Sequence, residues 1–169
     1  LNFFFDPNIM RAYMPDYLPT SEYQKLVATN RARQVLVRAA EMSMVMPMQT
    51  PQLRFERNPE NEGNLKRALD EAQKSAAILE PRLNELFSIS KQGEADRPKL
   101  DGPRWQAGYD LALARVLAAK VRTEGYNAML AEAKQGLTFK NEKSDTWELK
   151  PSDKVTVNST LTKDATDAR

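Results

Sequence analysis

The stretch LKRALDEAQKSAAILEPRLNEL, residues 65–86, decides the fold class of this chain. Its apolar residues recur at alternating intervals of four and three positions, at Leu65, Leu69, Ala72, Ala76, Leu79, Leu83 and Leu86. This spacing places them on one face of a helix, in the pattern of a coiled-coil seam. It predicts a helix over about 62–92, with a kink or a restart at Pro81, because the proline ring clashes with the preceding turn.

A second seam begins after the sequence Asp-Gly-Pro at 101–103. Its members again alternate by four and three, at Trp105, Tyr109, Ala112, Val116, Ala119, Thr123, Tyr126, Leu130, Ala133 and Leu137. This predicts a helix over about 103–137 that opens at Pro103, because proline is tolerated in a first turn, and that ends near Gly136. We expect the two seams to pack against each other as the central pair of the fold.

An earlier helix is predicted over about 20–46. Ser21 and Gln24 have the spacing of a capping box at its start, Asn30 lies on its apolar stripe, and Pro47 ends it. Together these patterns predict a mainly α fold in one domain, 1–169, with three long antiparallel helices that form a bundle over 20–137.

The N-terminal segment, residues 1–19, is predicted to be an extended or turned arm, because prolines disfavour helix. These are Pro7, Pro15 and Pro19. Its three adjacent phenylalanines are expected to pack onto the helices; the alternative is that they form a strap to a preceding domain. With one tryptophan they make up the candidate partner surface, Phe3, Phe4, Phe5 and Trp147.

Strand patterns occur in two places. Residues 53–56 alternate apolar and polar side chains, which predicts a short extended piece inside the connector 47–61. Near the C-terminus, residues 138–140 and 146–149 flank the polar run 141–145, which predicts a hairpin-like segment over 138–157. Residues 158–169 are typical of the start of a helix that is truncated.

Composition excludes several classes of site. Lys plus Arg is 25 and Asp plus Glu is 23, a net charge of +2, so no strong field favours nucleic acid. We interpret Arg104, Arg115 and Arg122 as a solvated face with carboxylate partners. Cysteine and histidine are absent, which excludes disulfides, thiolate or imidazole metal sites and a Ser-His-Asp triad.

No catalytic, cofactor-binding or metal-binding residue is therefore predicted, and no glycine-rich phosphate loop occurs. The sequence contains neither an apolar run of the roughly 20 residues that a membrane helix needs nor a signal peptide. We expect the chain to be part of a larger protein.

Four segments carry a resemblance to a known family. They are FFFDPNIMRAYMPDYLPTSEY at 3–23, LEPRLNELF at 79–87, PRWQAGYDLALARVLAAKVRTEGYNAMLAEAKQG at 103–136 and TFKNEKSDTWEL at 138–149. Together they resemble the region downstream of the von Willebrand factor A domain in a family of large bacterial proteins. The resemblance implies a helical tail of an exported, extracytoplasmic or cell-envelope protein. It implies no metal ligand here, since the family's DxSxS motif is absent.

The leading functional hypothesis is a non-enzymatic protein-interaction or scaffold domain, whose partners include the preceding A domain. It follows from the long seams and the missing catalytic groups. Two alternatives stay open: a carboxylate-based hydrolase with two converging acids, at least one with a raised pKa, and a self-assembly module that uses an exposed apolar stripe on the third helix. The oligomeric state is left open.

Overall fold

A computed structural model describes residues 4–45, 50–57, 63–136 and 144–150, and the side chains of 43–45 are not described. The elements are α1 (Pro7–Arg11), α2 (Thr20–Ala28), α3 (Arg31–Val45), β1 (Arg54–Glu56), α4 (Gly63–Lys91), a 3-10 helix (Glu94–Lys99), α5 (Pro103–Lys134) and β2 (Thr146–Glu148). The fold is mainly helical with a small two-stranded antiparallel sheet, which confirms the predicted class.

The two longest helices lie close to their predicted bounds. Helix α4 continues through Pro81, so the restart expected there is wrong, while a kink stays a prediction. Helix α5 begins at Pro103, as expected, directly after Gly102. Gly102 and Gly136 have φ values of +81° and +118°. These values lie in the left-handed region that other residues rarely adopt, so the two glycines mark the turns at the ends of α5.

The predicted first helix is two helices, α2 and α3, separated at Thr29 and Asn30. The Oδ1 atom of Asn30 accepts hydrogen bonds from the backbone N–H groups of Ala32, at 2.8 Å, and Arg33, at 3.3 Å. Asn30 therefore caps α3 instead of continuing α2. The prediction of one helix is wrong because the spacing of apolar residues does not show where a side chain caps a new helix. Asparagine is among the residues preferred at such an N-cap.

Two local predictions at the N-terminus are also wrong. Helix α2 starts at Thr20 with Pro19 as its N-cap, so Ser21 lies inside the helix and forms no capping box. Residues 7–11 of the predicted non-helical arm form the short helix α1. Pro7 is compatible with this helix because it occupies the first turn, and Asp6 caps it by accepting a 2.8 Å hydrogen bond from the Asn8 backbone N–H.

The described residues divide into two compact units. The first contains 4–45 and 85–116, and the second contains 50–57, 63–84, 117–136 and 144–150. In each unit a residue of α4 packs in a core cluster with a residue of α5: Ile89 with Tyr109 in the first and Leu69 with Leu130 in the second. The prediction of a single domain stays a prediction.

The first core closes tightly around Gly93. A Cβ atom at this position would lie 2.6 Å from Cγ2 of Val35 and 2.8 Å from Cα of Ala32. Tyr109 is also in contact, and its hydroxyl donates a 2.6 Å hydrogen bond to the Ser90 carbonyl. Burial raises the pKa of Tyr109 from 10.0 to about 12, so the hydroxyl keeps its proton and this hydrogen bond to a more alkaline pH than an exposed tyrosine would.

In the second unit, α4 and α5 run antiparallel. Lys120 of α5 donates a hydrogen bond to Asn84 of α4, and Lys134 of α5 forms an ion pair with Asp70 of α4. Later positions on α5 therefore lie beside earlier positions on α4. The seam of α4 faces inward: its members are buried or half-buried, with Leu83 only 2% exposed. This burial confirms the apolar face that the spacing of residues 65–86 predicts.

The sheet of the second unit pairs β1 with β2, with Phe55 opposite Trp147. The short extended piece expected at 53–56 is confirmed as β1, and residues 146–148 of the expected hairpin-like segment form β2, while the hairpin itself stays a prediction. The described partner of β2 is β1, which precedes it by about 90 residues along the chain. The other expected hairpin segment, 138–140, and the expected helix start, 158–169, lie outside the described residues.

Leu83→Ala is expected to lower the free energy of unfolding by about 2–5 kcal/mol, because the substitution removes buried methyl groups and leaves a cavity. The measurement is urea denaturation followed by circular dichroism. Ile78→Ala is the matched control on the same helix, since Ile78 is 64% exposed, and it should change the stability by less than about 0.5 kcal/mol. Equal losses in both variants would contradict the seam.

Gly93→Ala is expected to destabilise the protein by about 1–3 kcal/mol, because its methyl group would overlap Val35 and the Ala32 backbone. Gly108→Ala is the control: its Cβ would meet only Cδ2 of Leu36, at 3.3 Å, and it should change the stability by less than about 1 kcal/mol. Thermal unfolding of both variants is the measurement. A Gly93→Ala variant as stable as wild type would show that the core is not closed there.

Candidate interaction surface

The segment 4–18, called the apolar arm from here on, is exposed throughout. It carries eight exposed large apolar side chains: Phe4, Phe5, Ile9, Met10, Tyr13, Met14, Tyr17 and Leu18. Phe4 is 98% exposed and Tyr17 is 82% exposed. Elsewhere in the described chain, such exposure occurs singly, at Leu53, Ile78 and Leu111. A scattered apolar residue is ordinary, but a dense group marks an interaction site.

The residues that the sequence grouped as one partner surface differ in exposure where the structure describes them. Phe4 and Phe5 lie on the apolar arm and are exposed, so the expectation that they pack onto the helices is wrong. Phe3 lies outside the described residues. Trp147 belongs to the second unit, where it is half-buried and packs against the cluster of Phe55 and its neighbours. The assignment of these residues to one partner surface stays a prediction.

Trp105 lies at the base of the apolar arm. Its indole Nε1–H donates a 2.8 Å hydrogen bond to Oδ2 of Asp16. Its ring stacks on Tyr23 with 6.2 Å between the ring centroids and 29° between the planes. The guanidinium of Arg33 lies over the same ring, with its Cζ atom 5.4 Å from the centroid. We call these four residues the Trp105 cluster.

The cation of this cluster is buried. The Arg33 side chain is only 4% exposed, and it forms an ion pair with Asp101 at 3.5 Å. It also donates hydrogen bonds to the Thr29 hydroxyl, at 3.1 Å, and to the Leu26 carbonyl, at 3.5 Å. A buried cation needs such partners, because desolvation penalises an unpaired charge. Arg33 thus ties the C-terminal end of α2 to the segment that leads into α5.

The sequence patterns did not predict the hydrogen bond between Trp105 and Asp16. Trp105 was assigned only to the apolar seam, although a partly buried indole needs an acceptor for its N–H group. No role was predicted for Asp16 of the arm. The available signal was the amphipathic character of tryptophan, but sequence alone does not identify the acceptor, which is 89 positions away.

The described carboxylates lend no support to the hydrolase alternative. A hydrogen bond from Lys134 lowers the pKa of Asp70, and one from Lys99 lowers the pKa of Asp96. A general acid needs the opposite shift. Within the described ranges, no group of three or more acidic, His or Cys side chains is arranged to hold a metal ion.

The exposed face of α5 differs from its sequence interpretation. Arg104, Arg115 and Arg122 are exposed as expected, but none forms an ion pair with any residue the structure describes. The expected carboxylate partners are therefore not found in that part of the chain. Leu111 is 60% exposed, and it is the one described large apolar side chain of α5 in that state.

Comparisons with protein-family models, with curated proteins and with solved structures find no match to this chain. The resemblance to the region downstream of a von Willebrand factor A domain therefore stays a prediction. Among the described helices, none combines the length and apolar character needed to cross a membrane.

Asn30→Ala is expected to lower the free energy of unfolding by about 1–2 kcal/mol, because it removes the cap of α3. It also removes the 3.2 Å hydrogen bond from Nδ2 of Asn30 to the Asp96 carbonyl. Asn30→Asp is the control: it keeps the acceptor for the two N–H groups and should retain most of the cap. Chemical denaturation compares the two, and equal stability of Asn30→Ala and wild type would contradict the capping role.

Proposed function

We propose that this chain is a non-enzymatic protein-interaction or scaffold domain that binds a protein partner through the apolar arm. The observation that carries the proposal is the density of exposed apolar side chains, eight within residues 4–18. Aromatic residues and methionine are enriched in protein interfaces relative to the rest of the surface, and both types are present in the arm. The partner would supply an apolar groove.

The local structure of the arm suits binding. Pro7 and Pro15 restrict the backbone, and α1 is held by its Asp6 cap. Restricted segments lose less conformational entropy when they bind, so more of the contact energy appears as affinity. Phe4 and Phe5 add large contact areas with few rotatable bonds.

The charge of the arm favours apolar over electrostatic recognition. Residues 4–18 contain two acidic side chains, Asp6 and Asp16, and one basic side chain, Arg11. This balance offers no attraction for a phosphate backbone, which basic patches recognise. A protein groove is therefore the partner that the arm fits, and nucleic acid is not.

The wider context is part of the same proposal. The arm and helices belong to a larger, exported bacterial protein with a von Willebrand factor A domain, and that A domain is one of the partners. The helices α2 to α5 form the antiparallel bundle that supports the arm. The support for this context is the sequence resemblance over 3–149 and the mainly helical fold.

The partner is tested by photo-crosslinking in cells that express the protein naturally. A photoreactive phenylalanine analogue replaces Phe5 in one variant and Ile78 in a control, since both positions are exposed. We expect a discrete protein adduct from position 5 and none from position 78, because the apolar arm is the contact. Mass spectrometry identifies the adduct.

A second variant tests whether the apolar side chains cause the binding. Phe4→Ser with Phe5→Ser should weaken binding of the identified partner at least about tenfold, since burying one phenylalanine contributes about 1.5–3 kcal/mol. Ile78→Ser should leave the affinity unchanged, as measured by calorimetry. An adduct to a second copy of the chain would favour the self-assembly alternative, and the absence of any adduct at position 5 would contradict the proposal.

A further inference from the structure

We infer that the hydrogen bond between Asp16 and Trp105 is a latch that holds the apolar arm in the position from which it binds its partner. This inference rests on the proposed function of the arm, and it concerns how that function is controlled. The bond joins the indole Nε1–H of Trp105 on α5 to the Asp16 carboxylate near the end of the arm, at 2.8 Å.

The arm has few other attachments. Every residue from 4 to 22 is exposed. The least exposed large apolar side chains of the arm, Leu18 and Tyr13, are still 41% and 42% exposed, so burial anchors the arm only in part. Its backbone hydrogen bonds connect neighbours within the segment, such as Met10 to Asp6 and Leu18 to Asp16. Among the described residues, the bond to Trp105 is the one side-chain hydrogen bond from the arm to a position beyond α2.

The donor side of the latch is fixed by its surroundings. The Trp105 ring is stacked on Tyr23 of α2, and the buried Arg33 guanidinium lies over it. The indole N–H therefore points in a direction that these contacts determine. The acceptor, Asp16, lies on an exposed segment. The latch therefore joins a fixed donor, Trp105, to an acceptor that can move away from it.

Two states of the arm follow from this arrangement: a latched state and a released state. A partner that binds the latched arm meets a segment already ordered, whereas a released arm must first be ordered. The apparent affinity for the partner is proportional to the fraction of latched molecules, so it falls when that fraction falls. Removing one hydrogen bond to a charged acceptor at an exposed site is expected to lower the ratio of latched to released molecules by about three- to tenfold.

Limited proteolysis tests the latch on the full chain without any partner. Trypsin cleaves after Arg11, inside the arm, and cleavage is faster when the segment is released. Trp105→Phe keeps an aromatic ring for Tyr23 and Arg33 but lacks the N–H donor, so cleavage after Arg11 should accelerate about three- to tenfold. Trp147→Phe, the same change in the second unit, should leave the rate at wild-type level.

A double-mutant cycle separates the latch from general loosening. Asp16→Ala removes the acceptor and should accelerate cleavage by a similar factor. The double variant Asp16→Ala with Trp105→Phe should be no faster than either single variant, because both remove the same bond. Effects that multiply in the double variant, or an unchanged rate in Trp105→Phe, would overturn the inference.

Failure of the latch and failure of the proposed function give different results. If cleavage is unchanged in Trp105→Phe while position 5 still forms its protein adduct, the latch is overturned and the proposed function stands. If cleavage accelerates while no adduct forms, the latch stands and the proposed function is overturned. When both hold, Trp105→Phe should weaken binding of the identified partner by up to about twofold, a smaller factor than the change in cleavage, because most wild-type molecules are latched. Tighter binding would overturn the inference, since the partner would then prefer the released arm.

Discussion

Burial of the Arg33 guanidinium is the constraint on which the described first unit depends. A cation that is 4% exposed has to be paired and hydrogen-bonded. Oxygen atoms from the end of α2 and the carboxylate of Asp101 meet this need at the two terminal nitrogens, and the face of Trp105 lies against the guanidinium, while Nε has no hydrogen-bond partner among the described residues. The break between α2 and α3 and the start of α5 are therefore held around one side chain. That arrangement in turn fixes the indole that holds the arm.

The first unit combines a closed core with an open surface. Gly93 is packed so closely that a methyl group would not fit beside Val35, while the segment 4–18 leaves its apolar side chains in solvent. A folded chain ordinarily buries such residues, because each buried large apolar side chain contributes about 1.5–3 kcal/mol. A rigid core next to an uncovered apolar segment is the combination that an interaction domain requires, since preorganisation limits the entropy lost on binding.

Patterns that depend on local periodicity were the successful predictions. The seam residues of α4 are buried or half-buried, and Phe55 lies on a strand where alternation placed it. A prediction that depended on a specific polar contact failed, since Asn30 caps a helix instead of extending one. Trp147, predicted only as a surface residue, also packs against the cluster of Phe55. A polar or aromatic side chain can satisfy its needs in several ways, and the choice among them depends on residues distant in sequence.

The sequence by itself determined the mainly helical class, the bounds of α4 and α5 and the two short strands, because 3.6- and 2-residue periodicities are written into the order of apolar residues. Only the tertiary structure decided that β2 pairs with β1, that Arg33 is buried and that Trp105 reaches Asp16 across 89 positions. These contacts are formed by segments that the folded backbone brings together, and no local pattern specifies which segments meet.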